Sequence, residues 1–211
     1  MSPDVIDLQP QHIPAAAQTL TQAFRDDPLF RYLYGDLDLY DRVAPWMFGT
    51  WVKWSILYGK AWASPGIEAV ALRRQPGRYR MSTWSMIRAG MLPTERKMGK
   101  AAFQRLQRFL DAAEDAHTAI MGDQPHWYCQ NVAVAPEHQG RGLGGVLMNH
   151  TFALADAAGL PCYLETETDK ALAIHSHLGY ELRRTIDLSD GAFRFYAMVR
   201  PPGATVRHAP L

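Results

Sequence analysis

A glycine-rich segment, Gln139-Gly140-Arg141-Gly142-Leu143-Gly144, offers the clearest chemistry in this chain of 211 residues. It follows the apolar, strand-like run Val132–Ala135 and opens an amphipathic stretch that is typical of a helix. Glycines at a strand-to-helix turn leave backbone amides free to point outward, and a helix N-terminus adds partial positive charge. The segment therefore predicts an anion site that is suited to a pyrophosphate.

Three other interpretations of this segment are weaker. A dinucleotide fingerprint needs its first glycine directly after the strand, but Pro136–Gln139 intervene, and Glu165 and Glu167 are only loosely placed as the ribose-binding acid. A nucleotide triphosphate loop needs a Lys-Ser or Lys-Thr pair after the glycines, and none follows. A turn that only packs helix against strand would not need glycine at positions 140, 142 and 144.

The residues from Val132 to Gly144 closely resemble the central motif of the GNAT superfamily of acetyltransferases. The pattern of that motif is Gln/Arg-x-x-Gly-x-Gly/Ala, which Gln139, Gly142 and Gly144 match. Two further segments, 163–166 and 172–181, resemble the superfamily's second cofactor segment. The segments 23–30 and 126–128 resemble the branch that contains puromycin N-acetyltransferase.

The resemblance implies a mixed α/β fold of the GNAT type. Its central twisted sheet would be mostly antiparallel, with one parallel, splayed pair of strands and helices on both faces. It also implies acetyl-CoA as co-substrate and direct transfer of the acetyl group to the amine of a small molecule in a ternary complex. In the family, strand main chain pairs with the pantetheine arm and turn amides hold the pyrophosphate. The corresponding residues here are Val132, Ala133 and Val134 for the arm, and Gln139, Gly140, Arg141, Gly142, Leu143 and Gly144 for the pyrophosphate.

Two alternatives to this function stay open. One is a GNAT-fold module that binds acyl-CoA without catalysis, because the tyrosine that often protonates the leaving thiolate is missing: Ile174-His175 replaces the family's Phe-Tyr, and Ala171 replaces an asparagine. The other is an acetyltransferase that modifies proteins, for which a broad, open, acidic or polar groove would be the sign and against which a closed aromatic pocket would count.

Two residues are predicted to be catalytic. His175 could replace the missing tyrosine as general acid, since an unperturbed imidazole titrates near neutrality, or it could simply pack against the sheet. Glu165 is the predicted general base, and the alternative is a solvent-facing or ion-paired carboxylate. Gln130 and Asn131 lie on the neighbouring strand, where either could hold a water molecule.

The acceptor site is expected along an aromatic stripe. Met47, Trp51, Trp54 and Tyr58 recur at helical spacing, so Trp51 and Trp54, with Gln130, are the predicted substrate-binding residues unless the stripe belongs to the core. Nearby arginines are predicted to form a solvated charged edge, or else to contact a CoA phosphate: Arg73, Arg74, Arg78 and Arg80.

The elements that must position these residues follow from periodicity and from turn signals. A helix is expected after Pro14, a break at Asp26-Asp27-Pro28, and an interrupted helical region over 80–121. The other expected elements are strands over 4–8, 60–64, 68–72, 126–135, 162–166, 180–188 and 193–200, and helices over 40–58, from the glycine turn to Gly159, and over 170–178. Ser189-Asp190-Gly191 predicts the last hairpin turn.

Composition sets the remaining expectations. Lys and Arg number 22 against 21 Asp and Glu, which disfavours nucleic-acid binding. No signal peptide and no apolar run of membrane-spanning length is found, and Cys129 and Cys162 fit reduced core thiols, so a cytoplasmic protein is expected. We expect one domain over 1–200, a loose tail over 201–211, no metal, and a monomer or homodimer.

Overall fold

The computed structural model describes residues 5–188, 191 and 193–205. The predicted start of the first strand at Asp4, the turn residues Ser189 and Asp190, and the part of the predicted tail beyond residue 205 lie outside the described residues.

Within the described ranges, seven strands form one sheet in the order β1-β2-β3-β4-β5-β7-β6. All neighbouring strands are antiparallel except β4 and β5, which are parallel. This confirms the predicted mixed, mostly antiparallel architecture. The strands are Ile6–Asp7 (β1), Lys60–Ala63 (β2), Ala69–Arg74 (β3), Trp127–Val134 (β4), Cys162–Thr166 (β5), Glu181–Leu188 (β6) and Phe193–Arg200 (β7).

Helices cover both faces of this sheet. Side chains of α1, α2, α3 and α6 pack in one apolar cluster with Val70, Leu72 and Ala133, whereas α7 packs with Ala69, Ala71 and Cys129 on the other face. The helices are Ile13–Ala23 (α1), Pro28–Tyr34 (α2), Leu37–Tyr58 (α3), Thr83–Ala89 (α4), Thr94–Met98 (α5), Lys100–Met121 (α6), Leu143–Ala157 (α7) and Asp169–His177 (α8).

Local chemistry explains where the predicted helices differ. Pro28 does not only break α1; it is also the first residue of α2, a position where proline loses no hydrogen bond. Asp27 caps that helix, since its side chain accepts from the Leu29 amide at 2.9 Å. The interrupted region over 80–121 is three helices, because Gly90 and Gly99 take φ values of +94° and +78° that end α4 and α5.

Strands β4 and β5 part soon after they meet. Only Trp127↔Cys162 and Tyr128↔Tyr163 are paired, although both strands continue. On its other edge, β4 shifts register against β3, so that Leu72 pairs with Asn131 and Arg73 with Cys129. Gln130 is thus the extra residue of a β-bulge, which re-aims the strand at the point where β5 leaves it.

In the ranges that the structure describes, none of the helices is both long and apolar enough to cross a membrane. Cys129 and Cys162 are buried and unbridged, as predicted.

Candidate functional site

A cavity of about 690 Å³ opens where β4 and β5 separate. Its wall includes Tyr128–Val132 of β4 and 164–168 of β5 and its following loop. Met148 and His175 line it from the face that α7 and α8 cover, whereas Phe30 and Trp51 line it from the opposite face. The gap between the two strands therefore connects the two faces of the sheet.

Three carboxyl groups share one part of the cavity wall: Asp27, Glu165 and Glu167. Burial raises the pKa of Glu165 to about 7. Burial, followed by the nearby charges of Asp27 and Glu165, raises the pKa of Glu167 well above its usual range, and burial also raises the pKa of Asp27. Crowded, desolvated carboxyls of this kind attract a cation or a proton.

Glu165 is held by a tyrosine and left open on its other side. The Tyr128 hydroxyl donates to Glu165 Oε2 at 2.6 Å. The Arg74 guanidinium lies 4.8 Å from the Tyr128 ring and donates from Nε to Gln130 Oε1 at 3.0 Å. The hydrogen bond from Tyr128, the nearby Tyr163 hydroxyl and the charge of Arg74 all lower the pKa of Glu165, so burial outweighs them.

Two buried histidines, His117 and His126, lie on the side of Tyr128 that faces the protein interior. The Nε2 atoms of His117 and His126 lie 2.7 Å apart, and His126 Nδ1 lies 2.6 Å from the Gln124 carbonyl oxygen. Because that carbonyl can only accept, His126 Nδ1 must donate to it and His126 Nε2 then accepts from His117. The His117 ring packs 5.4 Å from Tyr128, and burial lowers the pKa of His117 to about 4.

Three buried polar atoms of the cavity wall have no hydrogen-bond partner among the described residues: Asn131 Oδ1, Glu165 Oε1 and His175 Nδ1. Buried polar groups in folded proteins are nearly always paired. Their coincidence at one cavity indicates a place where a polar ligand or water completes the hydrogen bonding.

His175 lies at the cavity, but not in the form that the sequence suggests. Burial, and then the charge of Arg73, lower the pKa of His175 to about 4. The low polarity around the ring disfavours imidazolium, so this environment does not favour His175 as a general acid near neutral pH, and that role stays a prediction. Ile174, its neighbour in the sequence, is exposed.

The aromatic stripe divides between cavity and core. Trp51 and Met47 line the cavity with Phe24 and Phe30, and the Trp51 and Phe30 rings lie 6.3 Å apart. Trp54 is 1% exposed and is not part of the described cavity lining; its Nε1 donates to Ser85 Oγ at 2.9 Å. The assignment of Trp54 to substrate binding is corrected, since the helix turns this ring beneath α4. Gln130 does line the cavity.

The glycine turn has the geometry of an open anion site. Gly140 and Gly142 have φ values of +77° and +79°, which side chains rarely adopt. A Cβ atom at either residue would meet no atom within 4 Å, so these glycines serve backbone conformation and not packing. Gly142 caps α7 without a side-chain hydrogen bond, which leaves the first amides of that helix, Leu143 and Gly144 included, free to bind an anion.

The flanking members of the predicted anion site have different surroundings. Val132 lines the cavity on the free edge of β4, and Ala133 packs into the core on the α1 side. Gln139 folds back, donating from Nε2 to the Val134 carbonyl at 3.2 Å, and Arg141 lies 3.4 Å from His138 Nδ1.

The predicted arginine edge is confirmed for Arg78 and Arg80, which are exposed, and is wrong for Arg73 and Arg74. Arg73 is completely buried and Arg74 lines the cavity, because both lie on β3 and not in a loop. Sequence reasoning also missed Asp27 and Tyr128 as site residues. The pair Asp26-Asp27 before proline marked the first only as a helix break, and the hydroxyl of Tyr128 becomes informative only when β5 brings Glu165 beside it.

Comparisons with known proteins point to one family. The sequence model of the acetyltransferase (GNAT) family matches residues 94–180. An uncharacterized N-acetyltransferase of Schizosaccharomyces pombe is 27% identical over 179 residues, covering 82% of this chain and 72% of the relative.

Two crystal structures share the fold. One, of histone acetyltransferase HPA2 and related acetyltransferase from Corynebacterium glutamicum, has a TM-score of 0.70 at 24% identity and covers 98% of this chain and 100% of its own. The other, arylalkylamine N-acetyltransferase 2 from Aedes aegypti, has a TM-score of 0.67 at 13% identity, with coverages of 93% and 97%.

Replacing Tyr128 tests the electrostatics of the carboxyl cluster. In Tyr128→Phe the hydrogen bond to Glu165 is lost, so the pKa of Glu165 should rise above about 7. NMR titration of ¹³C-labelled glutamate side chains measures it. Tyr58→Phe is the matched control, because Tyr58 lies outside the described cavity lining. A Glu165 pKa that is unchanged or lowered in Tyr128→Phe would contradict the described geometry.

Proposed function

We propose that this chain, which belongs to the GNAT N-acetyltransferases, transfers the acetyl group of acetyl-CoA to the amine of a small molecule with an apolar or aromatic body. The observation that carries the acceptor class is the cavity itself, in which the clustered carboxyls Asp27, Glu165 and Glu167 lie beside an aromatic and methionine-rich wall. The transfer is direct, within a ternary complex, as the family resemblance implies.

The cofactor side rests on the glycine turn and on the free edge of β4. The amides of Gly140–Gly144 fit a pyrophosphate by chemistry, because they combine positive-φ glycines with the uncapped N-terminus of a 15-residue helix. From Val134 back to Asn131, β4 has no β5 partner and spans about 10 Å at 3.3 Å per residue, so a pantetheine arm can pair with it on the way to the cavity.

The acceptor side favours a cation with a hydrophobic body. Asp27, Glu165 and Glu167 would hold an ammonium group, and Phe30 and Trp51 would contact the rest of the molecule. Aromatic faces also attract cations directly. The fold neighbour from Aedes aegypti is an arylalkylamine N-acetyltransferase, which is compatible with such a substrate.

Glu165 is the proposed base. Its pKa of about 7 lets the carboxylate accept a proton from the ammonium near neutral pH, directly or through a water molecule on Gln130 or Asn131. Acetyl-CoA supplies the activated thioester. Main-chain amides on the free edge of β4 would polarise the carbonyl oxygen while the amine nitrogen attacks. The new C–N bond forms, the C–S bond breaks, and the electron pair of that bond stays on sulfur.

The rival functions have less support. A protein substrate favours a broad, open, acidic or polar groove; this cavity carries acidic groups, but Phe24, Phe30 and Trp51 give it an aromatic wall. If the chain only bound acyl-CoA, the raised pKa of Glu165 and the missing partner of its Oε1 atom would have no functional explanation. The puromycin acetyltransferase branch, the single domain over 1–200, the cytoplasmic location and the monomeric or homodimeric state stay predictions.

Acetyl-CoA binding tests the anion site. Gly142→Glu places a negative charge beside the amides that would hold the pyrophosphate. Gly142→Gln is the matched control, because it introduces the same backbone strain without the charge. We expect the Kd for acetyl-CoA, measured by calorimetry, to rise at least tenfold more in the glutamate variant than in the glutamine variant. Equal affinities in the two variants would show that the pyrophosphate does not bind at this turn.

The pH dependence of kcat tests the base. Since the carboxylate is the active form, kcat should rise with pH through about 7, and Glu165→Gln should lose this rise together with about 10²- to 10⁴-fold in kcat. Asp27→Asn should instead raise KM for the amine. Glu181→Gln, on the partly exposed β6, is the control. A variant at Glu165 that keeps the rise near pH 7 would show that another group is the base.

A further inference from the structure

Arg73 carries a positive charge inside the protein with no carboxylate beside it. Its side chain is 0% exposed, and none of the salt bridges in the described ranges includes it. Its hydrogen-bond partners are all neutral: Thr151 Oγ1 at 3.0 Å from Nε, the Leu72 and Asn131 carbonyls at 3.0 and 2.5 Å from one terminal nitrogen, and Met148 Sδ at 3.0 Å from the other. The charge of Arg73 already acts on one sulfur, because, against the effect of burial and together with the hydrogen bond to Cys162, it lowers the pKa of the Cys129 thiol.

A second buried arginine shows how unusual this is within the same fold. Arg200 is 3% exposed, and Asp156 compensates its charge through two hydrogen bonds of 2.7 and 2.9 Å. Burying an ion without a counter-ion is energetically unfavourable, and a guanidinium cannot avoid this by losing its proton. Retaining Arg73 at this position therefore points to a use for its charge.

The position of Arg73 indicates what that use is. The residues that it contacts, Met148 and Asn131, line the cavity at the gap between β4 and β5, and so does Cys129, its pairing partner on β4. Arg73 thus lies one layer behind the cavity wall, on the face that α7 covers. The bulge at Gln130 creates this contact, because it re-aims β4 beside Arg73 and Asn131.

On the face of the cavity that α7 and α8 cover, neither His175 nor Tyr180 is placed to protonate a leaving thiolate, and Tyr128 and the clustered carboxyls lie on the other face. His175 occupies the place of the family's usual tyrosine, and its neutral ring has no imidazolium proton to give near pH 7. The Tyr180 hydroxyl is 3.3 Å from Cys129 Sγ and engaged there. A thiolate that leaves without protonation needs a positive potential instead.

We propose that Arg73 stabilises the CoA thiolate electrostatically, without touching it, in place of a general acid. Once Glu165 has passed the ammonium proton to solvent, the neutral amine nitrogen bonds to the acetyl carbon and the C–S electron pair moves to sulfur. The extra proton on the acylated nitrogen then moves to Glu165, and the field of Arg73 favours the charged sulfur. This inference rests on the proposed function. It requires that bound CoA ionises more readily than a free thiol, whose pKa is about 8.5.

The ionisation of bound CoA tests this directly. The ultraviolet absorbance of thiolate near 240 nm is followed while the enzyme–CoA complex is titrated with base. A Cys129→Ala background removes the cysteine that lines the cavity, and the same protein without CoA supplies the blank. We expect the bound thiol to titrate at least about one pH unit below free CoA.

Variants of the two buried arginines then separate charge from packing. Arg73→Met should return the pKa of the CoA thiol to within about 0.3 of the free value, and Arg73→Lys should keep most of the shift. Arg200→Gln removes a buried arginine whose charge Asp156 already compensates, so the shift should persist.

Three outcomes would overturn the inference. The first is a bound CoA thiol that has the pKa of free CoA in the Cys129→Ala parent. This result needs no arginine variant, so it stands even if Arg73→Met fails to fold. Equal shifts in Arg73→Met and its parent also overturn the inference. Failure of CoA to bind the parent contradicts the proposed function as well, whereas binding with an unshifted thiol contradicts only the role of Arg73.

Discussion

The parallel strands β4 and β5 hold each other through two residue pairs and then diverge, and the rest of the site depends on that divergence. A continuous ladder would seal the sheet and separate its two faces. The gap instead leaves the β4 edge free for an extended ligand, and the bulge at Gln130 turns the strand at the same point. A cofactor bound on the α7 face can therefore meet an acceptor bound on the α1 and α3 face.

Charges that would be unfavourable in a closed core lie on both sides of this gap. On the acceptor face, burial holds the folded-state pKa of Glu165 at about 7, above that of an unfolded chain. The folded protein therefore retains a proton that the unfolded chain loses, so this group's contribution to stability declines as pH rises from about 4 to about 7. An ammonium ligand would offset that cost. On the other face, Arg73 is a buried cation without a carboxylate partner, and a developing thiolate would offset its charge.

Much of the frame could be predicted from local patterns. The strand over 162–166, the glycine turn and the end of α7 follow from periodicity and from glycine's freedom at positive φ, and these are short-range effects. The site could be predicted only in part, because its chemistry depends on residues far apart in sequence. Tyr128 reaches Glu165 through strand pairing, and Asp27 reaches Glu167 through the packing of α2. A run of arginines after a strand usually marks the surface, and only the bulge and α7 explain why Arg73 is buried.

A crystal structure with a bisubstrate conjugate, in which an acetyl bridge joins the CoA sulfur to an aromatic amine, would test the account most directly. We predict the pyrophosphate on the amides of Gly140–Gly144, the sulfur in the gap beside Asn131, and the amine nitrogen within about 3.2 Å of Glu165 or of a water molecule bound to it. The aromatic group should lie against Phe30 and Trp51. A conjugate whose amine end lies outside the cavity, or whose sulfur does not enter the gap between β4 and β5, would contradict the account.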